Sequence, residues 1–358
     1  MSRYGNRVAR LRTLLEDQRL DALIVTSLTH LHYLTGFTGS NGLVVVTRND
    51  VFFLTDSRYR AQAARQVRNA QRLFTHQPLL TGMAEHHCLS RCKRAGFESH
   101  VMTYQQYRLL RKSFPRKLFV PTSGFVEKLL LVKEESELAA IRKAVHITDL
   151  VYADLLTILR PGMREHEVAA EISYRQRRLG AEGDAFHPIV ASGDRGALPH
   201  ARASEKILRR GEMVTLDFGA TVDGYHSDLT RTVALGHVTR RGREIYGVVL
   251  KAQLAALDAA RGGMPARDLD AVARRIIVNA GYGDAFSHSL GHGMGLHIHE
   301  RPRVSALSNE ILAAGSVITV EPGIYIPGWG GVRIEDDILL SATGNTVLTS
   351  APKDLVVL

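Results

Sequence analysis

The sequence predicts a small α/β domain followed by a larger α+β domain, and three observations support this fold class. Helical and strand patterns alternate through residues 1–125. Beyond them, strand patterns come in pairs separated by long helical patterns, an order typical of α+β folds rather than of one parallel sheet. Two prolines and a glycine interrupt the periodicity within residues 114–124, so we place the boundary between domains 1–125 and 126–358.

The first domain is predicted to contain two helices and three strands. The strands at residues 43–47 and 51–54 should form a hairpin, because Arg48-Asn49-Asp50 between them is a turn sequence. The other predicted elements are helices at 7–18 and 60–69 and a strand at 22–25.

The second domain is predicted to contain four long helices and four strands. Pro161-Gly162 ends the first helix. The predicted helices are 134–159, 165–179, 243–261 and 266–280, and the predicted strands are 213–218, 229–235, 317–321 and 332–340.

The composition is that of a globular protein, with 45% hydrophobic and 23% charged residues. No apolar run approaches the roughly 18 residues of a membrane-spanning helix, and the N-terminus lacks the apolar core of a signal peptide. Two cysteines are too few to crosslink a chain of this length. We therefore expect a reducing, cytoplasmic location and no membrane partner.

The net charge of +10 is concentrated in the first domain. Residues 1–125 contain 19 basic and 7 acidic residues, whereas the rest of the chain contains 27 and 29. Solvated helix faces explain this excess, and we expect no nucleic-acid partner because no nucleic-acid-binding motif accompanies it. A non-catalytic binding protein that docks polyanions through the basic domain stays open as an alternative, and salt-sensitive retention on nucleic acid would support it.

Two carboxylates, Asp217 and Asp228, lie in strand patterns where apolar residues are expected. Asp223-Gly224 between them is a strong turn signal. Folding the chain about Val222 and Asp223 places the two carboxylates opposite one another on one face of a hairpin. Like charges in this position are destabilising, so either a cation lies between them or one of them pairs with Arg231 or a backbone donor.

Three more candidate ligands lie in the last third of the chain. His292 is framed by glycines, in a stretch where the backbone must approach a neighbour closely. Glu321 ends one strand pattern, and Glu335 lies in another on the same face as Arg333.

The five candidate ligands form a charge-balanced set for two divalent cations, because four carboxylates carry four negative charges and the imidazole is neutral. Oxygen-rich ligation with one imidazole suits Mn²⁺, Co²⁺, Fe or Zn²⁺, and two such cations would activate a shared water for hydrolysis. The set is Asp217, Asp228, His292, Glu321 and Glu335.

Ten short motifs carry a family resemblance along nearly the whole chain. Those in the second domain are I-V-A-S-G at 189–193, A-L-P-H at 197–200, T-L-D-F-G at 215–219, S-D-L-T-R-T at 227–232, G-H-G-M-G at 291–295, H-E-R-P at 299–302, V-E-P-G-I-Y at 320–325 and G-V-R-I-E-D at 331–336. Those in the first domain are Y-L-T-G-F at 33–37 and T-D-S-R-Y at 55–59. Together they resemble the proline-cleaving branch of the pita-bread metallopeptidases, which comprises Xaa-Pro aminopeptidases and Xaa-Pro dipeptidases (prolidases). The resemblance implies a pita-bread (creatinase/aminopeptidase-like) catalytic domain preceded by a creatinase-type α/β domain.

The resemblance also implies roles for the five candidate ligands. Asp217 would bind one metal ion at a terminal position, and Asp228 and Glu335 would bridge both ions. His292 and Glu321 would complete the second ion, and Glu321 also matches the general base of the family.

Four further residues match positions near the substrate in this family. His200, His288 and His299 match histidines that contact the substrate, stabilise the tetrahedral intermediate and shuttle protons, which suits imidazoles because they titrate near neutral pH. Arg333 matches an arginine beside the bridging glutamate, and we expect it to orient Asp228 or to reach the substrate.

The activity implied is hydrolysis of the bond between an N-terminal residue and a following proline, by a hydroxide that bridges two metal ions. Mn²⁺ is the expected metal, with Co²⁺ or Zn²⁺ as alternatives. The motifs are closer to the shorter bacterial aminopeptidases, so the sequence favours an aminopeptidase over a prolidase restricted to dipeptides.

Creatinase-like chemistry and a ligand-binding pseudoenzyme are disfavoured because all five ligand positions are intact. Small peptides with proline in second position are the expected substrates, and the resemblance implies a homodimer in which the N-terminal domain shapes a partner subunit's pocket.

Three features leave alternatives open. His297 stands where the family usually has an acidic residue, and we expect it near the substrate side, where it could alter pH dependence or specificity or compete for metal. Trp329 lies on a glycine-rich loop and either forms a wall of the substrate pocket or covers apolar surface. Cys88 and Cys92 are one helical turn apart, which favours a plain helix over a zinc site because no second ligand pair is evident.

Overall fold

The computed structural model describes residues 2–358, and the contacts within it divide the chain between Leu129 and Leu130. Each unit has its own hydrophobic core, so the two are described separately. The first unit is α/β and the second is α+β, as the sequence predicts.

Six strands form one mixed sheet in the first unit. They are β1 (Ala22–Val25), β2 (Leu43–Thr47), β3 (Val51–Thr55), β4 (Gln71–Phe74), β5 (Arg94–Glu98) and β6 (Leu118–Thr122), in the order β4-β3-β2-β1-β5-β6. Strands β2 and β3 pair antiparallel with Val46 opposite Val51, which confirms the predicted hairpin. The pairs β1–β5, β5–β6 and β3–β4 are parallel.

The helices of this unit are α1 (Arg3–Asp17), α2 (Leu28–Thr35), α3 (Arg60–Gln66), α4 (Leu79–Glu85), α5 (Tyr104–Ser113) and α6 (Phe125–Leu130). Segment 114–124, where prolines break the sequence periodicity, contains the edge strand β6 rather than a linker. Pro121 is tolerated there because an edge strand leaves one row of backbone groups unpaired. Cys88 and Cys92 are buried in the core of this unit, but they lie in the turns after α4 rather than in the helix that the sequence predicts.

Four long helices of the second unit lie at nearly the predicted residues. They are α7 (Glu135–Ile158), α8 (Glu165–Arg178), α9 (Arg240–Ala259) and α10 (Ala266–Asn279). Buried residues of α7 recur every three or four positions, so one face of the helix packs on the core. Within residues 2–358 no helix is both long and apolar enough to cross a bilayer.

The strands of the second unit are short and mostly antiparallel. They are β7 (Gly183–Asp184), β8 (Ile189–Ser192), β9 (Met213–Phe218), β10 (Ala220–Val222), β11 (Tyr225–His226), β12 (Leu229–Ala234), β13 (Gly291–Gly293), β14 (Glu300–Val304), β15 (Val317–Val320), β16 (Gly323–Ile326), β17 (Gly330–Arg333), β18 (Asp336–Leu340) and β19 (Asn345–Val347). They form sheets with the orders β11-β10-β7, β12-β9-β8, β14-β13-β15-β18-β19 and β16-β17.

Two helix pairs cover these sheets, each over its own apolar cluster. Helices α7 and α8 pack with strands β8, β9 and β12, and α9 and α10 pack with strands from β14 to β18. Apolar side chains fill the helix-facing side of the strands. The other side carries the polar residues of the cavity described below.

Trp329 lies in the turn between β16 and β17 and packs against the α9–α10 cluster. The guanidinium of Arg241 lies 5.3 Å from the centre of its ring. Trp329 is outside the lining of the cavity formed by the described residues. The structure therefore favours the interpretation that this side chain covers apolar surface.

Candidate metal centre and active site

One cavity of about 1070 Å³ in the second unit is lined by every site residue that the sequence predicts. These residues come from separate strands and loops, so only the folded chain brings them together. They are His200, Asp217, Asp228, His288, His292, His299, Glu321, Arg333 and Glu335.

The hairpin that carries Asp217 and Asp228 has a register different from the predicted one. Asp223 and Gly224 form its turn, both with positive φ, of 50° and 76°. The turn is therefore centred one residue later than predicted, and Asp217 pairs with Thr230 instead of Asp228. A shift of two positions in the pairing keeps Asp228 on the same face of the hairpin as Asp217, because side chains alternate with a period of two.

His292 lies in the middle of β13, between two glycines. A Cβ atom at Gly291 would lie 2.0 Å from the carbonyl oxygen of Thr319 on the neighbouring strand, so no side chain fits there. The hydroxyl of Thr319 accepts a hydrogen bond from the backbone N–H of His292 at 3.1 Å. The glycine frame thus lets β13 approach β15 closely and fixes the direction of the imidazole.

The two glutamates occupy strand ends. Glu321 directly follows β15, and Glu335 lies between β17 and β18, where one predicted strand divides into two that belong to different sheets. The hydroxyl of Thr230 donates a hydrogen bond to Glu335 Oε2 at 2.7 Å. The backbone carbonyl oxygen of Thr230 also accepts a hydrogen bond from the backbone N–H of Glu335 at 3.1 Å. Both the side chain and the backbone of Thr230 therefore contact Glu335.

Three of the candidate ligands lie close enough together to hold one metal ion. One ligand atom each from Asp228, His292 and Glu335 lies within 4.8 Å of the others. His292 Nδ1 lies 3.1 Å from the Gly293 carbonyl oxygen, which can only accept, so the proton is on Nδ1. The lone pair on Nε2 then faces Asp228 Oδ2 at 3.7 Å and Glu321 Oε1 at 3.5 Å.

Burial and mutual repulsion strongly perturb the carboxylates. Burial, and then the neighbouring Glu335, raise the pKa values of Asp228 and Glu321 well above their ordinary range. Burial, and then Asp217, raise the pKa of Glu335 to about 8. Burial lowers the pKa of His292 to about 4, so the imidazole is neutral at pH 7. Four repelling acids beside a neutral imidazole fit a site for divalent cations.

Arg333 contacts Asp217 rather than Asp228, which corrects the predicted pairing. Its Nη2 donates to Asp217 Oδ2, its Nε to Thr230 Oγ1 at 3.0 Å, and its Nη1 to the hydroxyl of Tyr325 at 2.7 Å. Asp217 Oδ1 is buried and has no hydrogen-bond partner within the described chain. This oxygen fits the role of a metal ligand, because a buried carboxylate oxygen is normally paired.

The ring of His288 is fixed by two hydrogen bonds. Nδ1 donates to the Ser289 carbonyl at 2.7 Å, and Nε2 accepts from the hydroxyl of Tyr325 at 2.8 Å. Burial, and then Arg333, lower the pKa of His288 to about 4. Both ring nitrogens therefore have partners within the chain, and the ring lines the cavity.

The other two predicted histidines are more accessible. His200 is exposed at the cavity surface, and the ring of His299 lies 4.3 Å from that of His292. Burial lowers the pKa of His299. His297 is half-buried, and the described cavity lining includes its neighbours Ile298 and His299 but not His297 itself. This differs from its expected place on the substrate side.

Sequence reasoning missed Thr230, Thr319 and Tyr325, which hold the candidate ligands and Arg333 in place. The spacing of residues in the sequence could have indicated two of them, Thr230 and Thr319. Thr230 is two residues after Asp228 in a strand and so shares its face, and Thr319 has the same spacing before Glu321.

Comparison with known families and proteins gives concordant matches over both units. Residues 139–342 match metallopeptidase family M24, and residues 7–132 match the creatinase/prolidase N-terminal domain. An uncharacterized peptidase of Bacillus subtilis is 42% identical over 98% of this chain and 100% of its own length. An Xaa-Pro dipeptidase of Pyrococcus horikoshii is 35% identical over 99% of this chain and 100% of its own.

Solved structures agree over the same lengths. An Xaa-Pro dipeptidase from Bacillus anthracis has a TM-score of 0.97 at 40% identity, covering 99% of this chain and 100% of that one. An X-Pro aminopeptidase from Thermotoga maritima has a TM-score of 0.90 at 35% identity, covering 96% and 100%. The chain therefore has the predicted pita-bread fold with a creatinase-type N-terminal domain, belongs to metallopeptidase family M24, and is a metallo-exopeptidase.

Proposed function

We propose that this enzyme hydrolyses the bond between an N-terminal residue and a following proline, with Xaa-Pro dipeptides as its preferred substrates. The observation that carries the proposal is a cluster of four carboxylates and one neutral imidazole in a single cavity, with Asp217, Asp228 and Glu335 buried and Glu321 half-buried. One oxygen of Asp217 has no hydrogen-bond partner among the described residues. The names of the relatives at 35–40% identity support the same reaction.

Asp217, Asp228, His292, Glu321 and Glu335 are the proposed ligands of two divalent cations, in the first place Mn²⁺, with Co²⁺ or Zn²⁺ as alternatives. Cations bound there would polarise the scissile carbonyl and supply a water of lowered pKa as nucleophile. The oxygen-rich ligand set with one imidazole supports this choice of metals.

Side chains of this enzyme transfer the protons and bind the substrate. Glu321 takes a proton from the attacking water at a carboxylate oxygen and returns it to the leaving proline nitrogen. His200 and His299 face the cavity and donate hydrogen bonds to the substrate carbonyl. His288 acts indirectly, because its two ring nitrogens hold Tyr325 and the Ser289 carbonyl.

The preference for dipeptides is supported by Arg303. This residue lines the cavity and stands opposite His292 across the β13–β14 pair. Its guanidinium forms no ion pair with any residue from 2 to 358, although its backbone N–H donates to Glu310. A free arginine at this place fits the terminal carboxylate of a dipeptide, because the guanidinium fork matches a carboxylate in charge and geometry.

Aminopeptidase activity on longer peptides is the second candidate, and it is the one the sequence favours. The cavity of about 1070 Å³ is slightly larger than the roughly 300–1,000 Å³ that small-molecule sites occupy. That volume leaves room for residues beyond proline. The similarity to the Thermotoga maritima enzyme supports the same alternative.

The assembly and location of the enzyme remain proposals from the family resemblance. We propose a cytoplasmic homodimer in which the N-terminal domain borders the pocket of a second copy. Light scattering on the purified protein tests the dimer, and cell fractionation tests the location. Retention on nucleic acid at low salt would instead favour the polyanion-binding alternative for the basic N-terminal domain.

Mass spectrometry of products tests the proposed reaction, with the Mn²⁺-loaded enzyme on Ala-Pro and Ala-Pro-Ala-Ala in parallel. Faster release of Ala from Ala-Pro supports the dipeptidase proposal. Faster release of Ala from the tetrapeptide establishes the aminopeptidase instead. No cleavage of either peptide, with metal bound, contradicts Xaa-Pro hydrolysis.

A further inference from the structure

We propose that Glu165 is a positioning residue for His200, because its buried carboxylate closes the loop 192–204 that presents His200 to the cavity. The inference rests on the proposed function for its kinetic consequences, since that function gives His200 a contact with the substrate. Glu165 is the first residue of α8 and lies outside the cavity lining described above.

The carboxylate of Glu165 joins the two ends of the loop. Its Oε1 accepts hydrogen bonds from the backbone N–H and the hydroxyl of Ser192, both at 2.9 Å. Its Oε2 accepts from the N–H of Ser204 at 3.2 Å and from the Ser204 hydroxyl at 2.6 Å. The side chain is fully buried, so these bonds form away from competing water.

Arg195 links the carboxylate of Glu165 to the part of the loop that follows His200. Its Nε donates to Glu165 Oε2 at 2.9 Å, and its Nη2 donates to the carbonyl oxygen of Arg202 at 2.6 Å. On the other side of His200, the Pro199 carbonyl accepts from Arg333 Nη1 at 3.3 Å. The backbone is therefore held one residue before His200 and two residues after it.

The ring of His200 has no such support of its own. Within residues 2–358 it makes no hydrogen bond, and it is exposed at the cavity. Its position consequently depends on the backbone of the loop. The loop in turn lies directly on β17, where a Cβ atom added to Gly331 would lie 2.0 Å from the Gly196 carbonyl oxygen.

The carboxylate of Glu165 thus fixes the loop through five hydrogen bonds, one of them from the guanidinium of Arg195. Its removal would leave Arg195 without a carboxylate partner and Ser192 and Ser204 without their shared acceptor, which weakens both loop ends. A small displacement of a substrate-contacting group lowers the rate, because catalysis depends on near-attack geometry. Glu165 therefore acts on the reaction through the position of this loop and of His200 within it.

The variant Glu165→Gln keeps the shape of the side chain and removes its charge. We expect faster hydrogen–deuterium exchange in loop 192–204, above all at the amides of Ser192 and Ser204, with unchanged Mn²⁺ affinity by calorimetry. For Ala-Pro hydrolysis we expect kcat to fall about 10-fold to 100-fold, as is typical when a supporting residue near a metal site is removed. The matched control is Glu167→Gln in the same helical turn, which removes a charge outside the loop, keeps an oxygen acceptor for the Arg164 N–H and should leave kcat unchanged.

A double-mutant cycle with His200→Ala separates positioning from general stability. If Glu165 acts through His200, the loss of kcat caused by Glu165→Gln disappears when His200 is already alanine. An equal loss in both backgrounds, or unchanged exchange in the loop, overturns the proposal. Should Glu165→Gln fail to fold, Arg195→Met replaces it, since that variant keeps the serine contacts and should show smaller changes in the same direction. If the wild-type enzyme cleaves no Xaa-Pro peptide, the proposed function fails, while the exchange measurement still decides the role of Glu165 in the loop.

Discussion

Arg333 and Asp217 form a buried ion pair in the wall of the cavity, with side-chain exposures of 4% and 10%. The pair occupies only one oxygen of the carboxylate, Oδ2. The other oxygen, Oδ1, is buried without a hydrogen-bond partner among the residues that the structure describes. Arg333 therefore orients Asp217 so that its second oxygen is available to a cation.

Replacing Arg333 with lysine should weaken metal binding and catalysis together. Lysine keeps the charge but cannot contact Asp217, Thr230 and Tyr325 at once, because an ammonium lacks the planar fork of a guanidinium. We expect Mn²⁺ affinity or kcat/KM to fall about 10-fold to 100-fold. Calorimetric metal titration and steady-state kinetics measure the two effects. Arg241→Lys, on the exposed side of α9, is the control, and wild-type values for Arg333→Lys would refute the orienting role.

The metal-free enzyme should become less stable between about pH 6.5 and pH 8. The pKa of Glu335 rises from an ordinary 4.5 to about 8, so in this window the folded state binds more protons than the unfolded state and stability falls as pH rises. The pKa values of His288 and His292 are lowered to about 4, so these residues raise stability as the pH rises from about 4 to the ordinary histidine value of 6.5. Above pH 6.5 their contribution to stability no longer changes. Saturating Mn²⁺ should oppose the loss, because it binds the deprotonated ligands, so the gain in Tm on adding metal should increase with pH. Thermal unfolding at several pH values checks this, and a metal-induced gain independent of pH would contradict it.

Glu335→Gln should separate stability from function. Without this carboxylate the repulsion on Asp228 and Glu321 decreases, so the metal-free variant should unfold at a higher temperature than the wild type at pH 8. Activity should fall by at least about 100-fold, since the variant lacks a proposed metal ligand. Calorimetry of the metal-free proteins and kinetics of the loaded ones test both parts. A variant that keeps its activity would contradict the ligand role of Glu335, and one that is less stable without metal would contradict the repulsion.

Arg303→Met should reduce the preference for dipeptides. We expect kcat/KM for Ala-Pro to fall about 10-fold to 100-fold, which corresponds to the roughly 1.5–3 kcal/mol of a hydrogen bond to a charged group. Ala-Pro amide, which lacks the carboxylate, should be much less affected. Arg301→Met is the control, because Arg301 pairs with Glu310 and lies outside the described cavity lining. An equal loss on both substrates would show that Arg303 does not bind the carboxylate.

The elements that support the site follow from local patterns, which is why the sequence predicts them well. The long helices appear at nearly the predicted residues because each has an apolar face of helical period. The Asp223-Gly224 turn has a local signal as well, but its centre is one residue from the predicted position. That single residue changes the partner of Asp217 from Asp228 to Thr230.

The interactions between distant segments could not be predicted in this way. The pairing of Arg333 with Asp217 joins residues 116 positions apart, and it depends on how β17 lies beside β9. Glu165 looks like an ordinary acidic residue in the first turn of a helix, which the helix dipole alone would explain. Its contacts with both ends of loop 192–204 exist only in the folded chain.

Anomalous X-ray diffraction from crystals of the Mn²⁺-loaded enzyme locates the metal ions that the proposed mechanism requires. We predict two anomalous peaks about 3.5–4 Å apart, as in two-metal hydrolytic sites, between Asp228, His292 and Glu335 and within reach of Asp217 Oδ1. Strong manganese peaks elsewhere, or none at these side chains despite stoichiometric loading, would contradict it.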